Sequence, residues 1–237
     1  MKTIYTTLIG NYDTLKDPSV VDSSWDYICF SNHLKQKDFC VWQIKPIENN
    51  EKLSPLELSR YTKLMPHLFL PEYEQSIYID SNIDITTHFL YERANELLEN
   101  KHLISIPIHP TRDCIYEEID KLIVRGKDQV SRLKKHYHFL EKEHYPKKHG
   151  LFENNVIYRK HKDSKIIALS ELWWHTFLTY AKRDQLSFCY SLWKLNMTCT
   201  PFMPSDISDH RKCEHFYFSE HKHKSYHWFK KQLNKLR

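Results

Sequence analysis

Two oxygen-bearing side chains, Asp80 and Asn82, lie two residues apart behind the run Ser76-Ile77-Tyr78-Ile79. Such a run reads as a buried strand ending at Asp80, and open α/β sheets bind their ligands beyond the carboxyl ends of strands. A spacing of two sends both side chains to the same side of an extended chain. A carboxylate and an amide oxygen at one lip suit a hard divalent cation, Mg²⁺ or Mn²⁺, that keeps open positions for the oxygens of a diphosphate. A strand-terminal Asp also serves simply to cap a turn, so this segment alone leaves both readings standing.

Other groups fall at comparable places. Ser54-Pro55-Leu56-Glu57 is a capping box with proline at the first helical position, and the helix it starts must end near Pro66. Arg60 and Lys63, three residues apart, share one face of that helix. His109 follows the strand expected over 102–108, with Arg112 and Asp113 just beyond, which sets a titratable ring and a cation at another strand end. That placement suits acceptor binding or contact with a diphosphate; pairing of Arg112 with Glu117 or Glu118 explains it as well.

The elements that position these groups alternate in type. Residues 2–9 open with β-branched and aromatic residues and stop at Gly10-Asn11; 26–31 and 41–47 are further short strands. Residues 75–80 and 83–85 are extended, 87–100 helical, 102–108 extended, the span from 110 to about 149 helical and charged, 155–159 extended, and 173–181 and 184–195 helical. Strand and helix taking turns predicts an α/β fold with a mainly parallel sheet flanked by helices. The 237 residues, 41% hydrophobic and 27% charged, suffice for one sizeable core. Glycine occurs only at 10, 126 and 150, which excludes any nucleotide-binding fold built on a glycine-rich phosphate loop.

Charge is unevenly placed. His210 to Arg237 holds eight Lys or Arg against two Glu, while the body is close to neutral, a pattern unlike a nucleic-acid-binding domain. Within it Tyr226, Phe229, Leu233 and Leu236 recur at helical spacing, predicting a basic amphipathic helix that either docks on the core or touches an anionic membrane surface. The domain is therefore set at 1–205, with a basic, His-rich extension over 206–237. No stretch nears the roughly 18 apolar residues of a membrane span, and residues 1–7 lack the apolar core of a secretory signal. The six cysteines are scattered without a CxxC pair and read as reduced core residues, so the expected location is the cytoplasm.

Taken in order, several segments resemble a known family. Tyr5-Thr6-Thr7-Leu8-Ile9-Gly10-Asn11-Tyr12-Asp13, Asp26-Tyr27-Ile28-Cys29-Phe30, Ser59-Arg60-Tyr61-Thr62-Lys63-Leu64-Met65-Pro66-His67, the Asp80 strand, His109-Pro110-Thr111-Arg112-Asp113-Cys114-Ile115-Tyr116-Glu117-Glu118, Trp173-Trp174 and Arg183-Asp184-Gln185-Leu186-Ser187-Phe188 carry the resemblance. The family is the glycosyltransferase-like one long catalogued as a domain of unknown function and shared with plant mucilage-related and turgor-regulation proteins. The resemblance spans about 3–195 and implies a GT-A-like, Rossmann-related fold for a nucleotide-diphospho-sugar transferase. The Asp80-Ser81-Asn82 arrangement is similar to the metal motif of that fold, except that Ser81 stands where the pattern usually has glycine, which bears on close backbone approach to a diphosphate.

What the resemblance implies for individual residues is specific. Thr6 to Tyr12 would form the floor and rim of the nucleotide pocket, with Tyr12 stacking on a base and Asp13 accepting from base or ribose; an Asx-type turn accounts for Asp13 equally. Arg60, Lys63 and Arg112 would bind diphosphate. Asp184 would act as base or orient the acceptor, Gln185 would stabilise charge at the anomeric carbon, and His109 would join the catalytic group; an Asp at 184 also reads as a helix cap. Trp173 or Trp174 would stack on a sugar, the other lying in the core. One of His210, His215, His221, His223 and His227 would be a further metal ligand. The expected function is metal-assisted transfer of a sugar from a nucleotide sugar to a hydroxyl of a glycan or glycolipid. Two alternatives stay open, a hydrolase of a lipid amide or glycoside and a non-catalytic glycan-binding module.

Overall fold

The computed structural model describes residues 1–10, 13–36 and 41–220. In chain order the elements are β1 (Lys2–Leu8), β2 (Asp26–Ser31), β3 (Gln43–Pro46), α1 (Pro55–Leu64), α2 (Pro66–Phe69), β4 (Gln75–Ile79), β5 (Ile83–Ile85), α3 (Phe89–Glu99), β6 (Ile104–Ile106), α4 (Ile115–Val124), α5 (Val130–Lys142), β7 (Val156–Arg159), α6 (Ser164–Thr179), α7 (Asp184–Lys194), β8 (Thr200–Pro201) and β9 (Phe216–Phe218). The main sheet has seven strands in the order β3-β2-β1-β4-β7-β6-β8. Within it β7 alone runs against the others, pairing antiparallel with both β4 and β6. The rest pair in parallel, as the alternation of strand and helix predicts.

The central strands are buried on both faces, so they read as nearly continuous apolar runs. Their period of two divides the core. Tyr5, Tyr78 and Ile157 join one cluster with residues of α4 to α7, whereas Ile4, Ile77 and Tyr158 join another with α3 and Phe216. Helix α1 starts as the sequence indicates: Ser54 accepts from the Glu57 amide, the Glu57 side chain accepts from the Ser54 amide at 3.0 Å, and Pro55 fills the first turn. It ends at Met65, whose non-helical backbone precedes Pro66. Its buried face sets Thr62 against Thr7 of β1, with the hydroxyls 2.8 Å apart, and so holds the helix over the first strand.

Several elements differ from the sequence reading, among them the following. The third strand is shortened to Gln43–Pro46. Helix α6 begins at Ser164, well before Trp173, because Asp163 caps it by accepting from the Lys165 amide at 2.9 Å. Phe216–Phe218, inside the basic extension, is a strand that pairs with β5 and closes a two-stranded side sheet. The proposed amphipathic helix with Tyr226, Phe229, Leu233 and Leu236, together with His221, His223 and His227, lies outside the described residues. No helix among the described residues is long and apolar enough to cross a membrane.

Candidate active site

Strands β1 and β4 are parallel neighbours, with Tyr5 opposite Tyr78, so their carboxyl ends open on the same edge. There the chain leaves β4 as a tight turn: the Asp80 amide donates to the Asn155 carbonyl (2.9 Å) and the Ile83 amide returns to the Asp80 carbonyl (3.0 Å). Asp80, Ser81 and Asn82 line a cleft of about 300 Å³ together with Thr7 and Asp13. Arg60 of α1 and Arg183 ahead of α7 also line it. The shared side that a spacing of two predicts is thus realised by a turn, not by continued strand. Three bonds fix its geometry: Tyr78 Oη donates to Asp80 Oδ1 (2.8 Å), Ser81 Oγ to Asp13 Oδ2 (3.3 Å), and Asn82 Nδ2 to the Ser219 carbonyl (2.9 Å).

Arg60 and Lys63 share a helix face but do different things. Arg60 lines the cleft, whereas Lys63, 2% exposed, lies beneath it. Lys63 Nζ is 2.9 Å from Asp184 Oδ2, 3.5 Å from Asp80 Oδ1 and 4.6 Å from the centre of the Tyr78 ring. Arg60 Nε stands 3.5 Å from the same Asp184 oxygen. Burial pushes the Asp184 carboxyl up, but Lys63 and Arg60, with Arg183 behind them, outweigh it and hold the group well below the usual carboxylate range. A carboxylate held this way is a weak proton acceptor, and its evident work is to orient two cations. Its backbone is anchored in turn, since Trp173 Nε1 donates to the Asp184 carbonyl at 2.8 Å.

Beneath Lys63 lies a group that the sequence did not single out. Arg159 of β7 is fully buried, donates to Tyr5 Oη (2.6 Å) and to the Lys63 carbonyl, and has no carboxylate partner among the described residues. Tyr78 was likewise missed as a site residue, though its place two before Asp80 on a period-two strand was a usable signal.

The remaining predicted residues disperse. Thr6 is buried with the core and does not line the cleft, where its neighbour Thr7 does. Tyr12 lies outside the described residues. Gln185 donates to the Phe152 carbonyl (3.0 Å) and so anchors the loop before β7. Arg112 pairs with Glu118 at 2.5 Å, the local alternative weighed for it, and places Nη2 2.8 Å from His109 Nε2. His109 Nδ1 accepts from the Thr111 and Arg112 amides, and burial followed by Arg112 and Arg211 lowers its pKa to about 4. Trp173 is core, packed on Phe188, and Trp174 packs on Tyr61 and Phe177; neither lines the cleft. His215 stacks on Phe89 and meets Thr87, and it does not line the cleft.

His109 instead belongs to a second constellation. Glu153, which no local pattern marks, sits 3.5 Å from His109 Nε2, 3.6 Å from His210 Nε2 and 3.3 Å from Arg211 Nη2. Burial raises its pKa to about 6 despite Arg211, which Asp209 also engages.

As a cation site, the donor chemistry of the first cleft is suitable. With Nδ2 committed to Ser219, Asn82 keeps Oδ1 for a ligand, and Asp80 is one-third exposed. Among the described residues no three His, Cys, Asp or Glu side chains form a cage, so Asp80 and Asn82 would hold a hard cation whose other positions go to ligand oxygens and water.

Among solved structures, the chain is similar to the apo structure of the bifunctional glycosyltransferase WbbM, at 10% identity, covering 85% of this chain and 38% of that one with a TM-score of 0.49. It is also similar to apo mouse xyloside xylosyltransferase 1, at 10% identity, covering 83% of this chain and 80% of that one with a TM-score of 0.44. No curated protein sequence matches it. The model of the TOD1/MUCI70, glycosyltransferase-like domain matches residues 3–223, and the chain belongs to that family.

Proposed function

We propose that this member of a glycosyltransferase-like family moves a sugar from a nucleoside-diphosphate donor to a hydroxyl of a glycan or glycolipid, assisted by Mn²⁺ or Mg²⁺. The observation that carries the reading is that one cleft is lined both by Asp80, Asn82 and Asp13 and by Arg60 and Arg183. Side-chain oxygens and guanidinium groups in the same cleft match a diphosphate that carries a cation. Asp13 accepts from the ribose or base, and Arg60 and Arg183 bind the diphosphate oxygens. Lys63 holds Asp80 and Asp184 in place from below, so the polar groups need no rearrangement when charge develops on the leaving group. A divalent cation bound by Asp80 and Asn82 would neutralise that departing charge.

One observation favours the binding-module reading instead. Asp80 is already satisfied by Tyr78 and Lys63, and Asp184 by Lys63 and Arg60, with no ligand required. Thermal melting with UDP, with Mn²⁺ and with both, followed by donor turnover over a panel of nucleotide sugars, separates the two. Stabilisation needing both ligands, followed by turnover, supports the transferase. A folded protein that neither binds nor turns over any donor overturns it.

A further inference from the structure

Helices α4 and α5 form a hairpin whose inner residues Ile119, Leu122 and Leu133 join the core, while its turn is exposed over 124–127 and 129–131. The turn is fixed in shape: the Gly126 amide donates to the Ile123 carbonyl (3.1 Å) and the Lys127 amide to the Leu122 carbonyl (3.0 Å), with Gly126 at φ +58°. Asp128 ties it to the rest of the protein, one carboxylate oxygen accepting from the Lys182 amide at 2.6 Å. Lys182 precedes Arg183 of the first cleft, so the turn is fastened to the segment that carries a cleft residue. Val124, 82% exposed, is the most exposed large apolar side chain among the described residues, and Val130 across the turn is 45% exposed. Single exposed aliphatics need no explanation; two in one fixed turn, set among cations, ask for one.

The charge around the valines narrows the partner. Residues 120–135 hold six Lys or Arg against two acids, Asp120 and Asp128. Asp128 is spent on the Gln129 and Lys182 amides and on Arg132, 3.5 Å away. Lys121, Arg125, Lys127 and Lys134 are exposed and have no carboxylate within ion-pair distance among the described residues. A nucleic acid would meet these cations, but residues 120–135 include no aromatic ring on which a base could stack, and the valines would stay in water. An anionic bilayer engages both kinds of group at once, its headgroups meeting the cations and its acyl boundary taking the aliphatic side chains.

We infer that the α4–α5 turn is a peripheral membrane contact, its two valines entering the headgroup boundary of an anionic bilayer while Lys121, Arg125, Lys127 and Lys134 meet the lipid phosphates and carboxylates. The contact stands whether or not the first cleft turns over a nucleotide sugar, since no residue lining that cleft takes part in it. The test is co-sedimentation of the full chain with vesicles of phosphatidylcholine alone and of phosphatidylcholine with about one-third phosphatidylserine, in about 0.1 M salt. Binding is expected to the anionic vesicles only. Arg125→Glu with Lys127→Glu should weaken it about tenfold or more, since each basic residue near such a surface contributes about fivefold. Val124→Ser with Val130→Ser, which leaves the net charge untouched, should weaken it about fivefold or more. Lys147→Glu with Lys148→Glu makes the same charge change beyond the far end of α5, about 20 Å from the turn and outside a Debye length, and should weaken it less than about twofold. All six substituted side chains are exposed, and melting confirms that each variant is folded. Binding carried instead by the basic extension over 206–237 would survive both turn variants. No binding to anionic vesicles, binding unchanged in either turn variant, or equal losses from the near and far charge pairs overturns the inference.

Discussion

Two buried carboxylates, Asp184 beneath the first cleft and Glu153 between His109 and His210, shift their pKa values in opposite directions. Both are 7% exposed. Asp184 has Lys63 at 2.9 Å and Arg60 at 3.5 Å, and its carboxyl is held ionised. Glu153 has two neutral histidines and one half-exposed arginine shared with Asp209, and its pKa rises to about 6. Burial sets the cost of charge; the cations within ion-pair reach decide whether it is met. Asp184 consequently sits in a cluster of closely paired charge, whereas the two nearest rings at Glu153 are neutral at pH 7.

The sharpest way to break this contrast is Asp184→Asn, which strips Lys63 of its nearer partner and leaves only Asp80 at 3.5 Å. Stability at neutral pH, read by urea unfolding, is expected to fall by about 3–5 kcal/mol. A loss under about 1 kcal/mol would mean that the pair is not the anchor described here. Asp80→Ala attacks the same side through its ligand. It should lower metal-dependent donor turnover by about 100-fold or more while the protein still melts cooperatively.

Glu153→Gln should act in the opposite sense. Between the ordinary 4.5 and about 6 the folded state holds this proton more tightly than the unfolded chain, so stability falls as pH rises through that window. The substitution removes the loss and should raise stability at pH 7 by about 1 kcal/mol. His109 and His210, lowered from 6.5 to about 4, contribute the reverse, stability that grows as pH rises from about 4 to 6.5. The variant should therefore show a steeper rise across that range, and a profile parallel to wild type would refute the assignment. The smallest effect is expected from Ser81→Gly, which removes one 3.3 Å bond to Asp13: UDP affinity should change by less than about threefold.

Much of the first cleft was legible in the sequence, since its parts hang on strongly periodic elements. A period-two strand delivers Asp80, a capping box starts the helix that carries Arg60 and Lys63, and Asp13 follows the first strand. The division of labour between Arg60 and Lys63 was not legible, because spacing of three fixes a shared face and not which cation is covered by α7. The second constellation was hidden for another reason. Glu153, His109 and His210 come from three distant loops, brought together by the reversed direction of β7, which no local pattern encodes. Phe216–Phe218 was hidden among basic and histidine residues, three positions being too short for a periodic signal.

The clasp at Ser219 has a practical side. Its amide and hydroxyl both donate to the Asn82 carbonyl, while its own carbonyl receives the Asn82 side chain, so residue 82 is gripped from a point 137 positions farther along. Shortening the polypeptide to 205 would thus do more than trim an appendage. It would remove the backstop of the side-chain amide proposed to bind a cation, and such a clone should be judged as a damaged site, not as a minimal one.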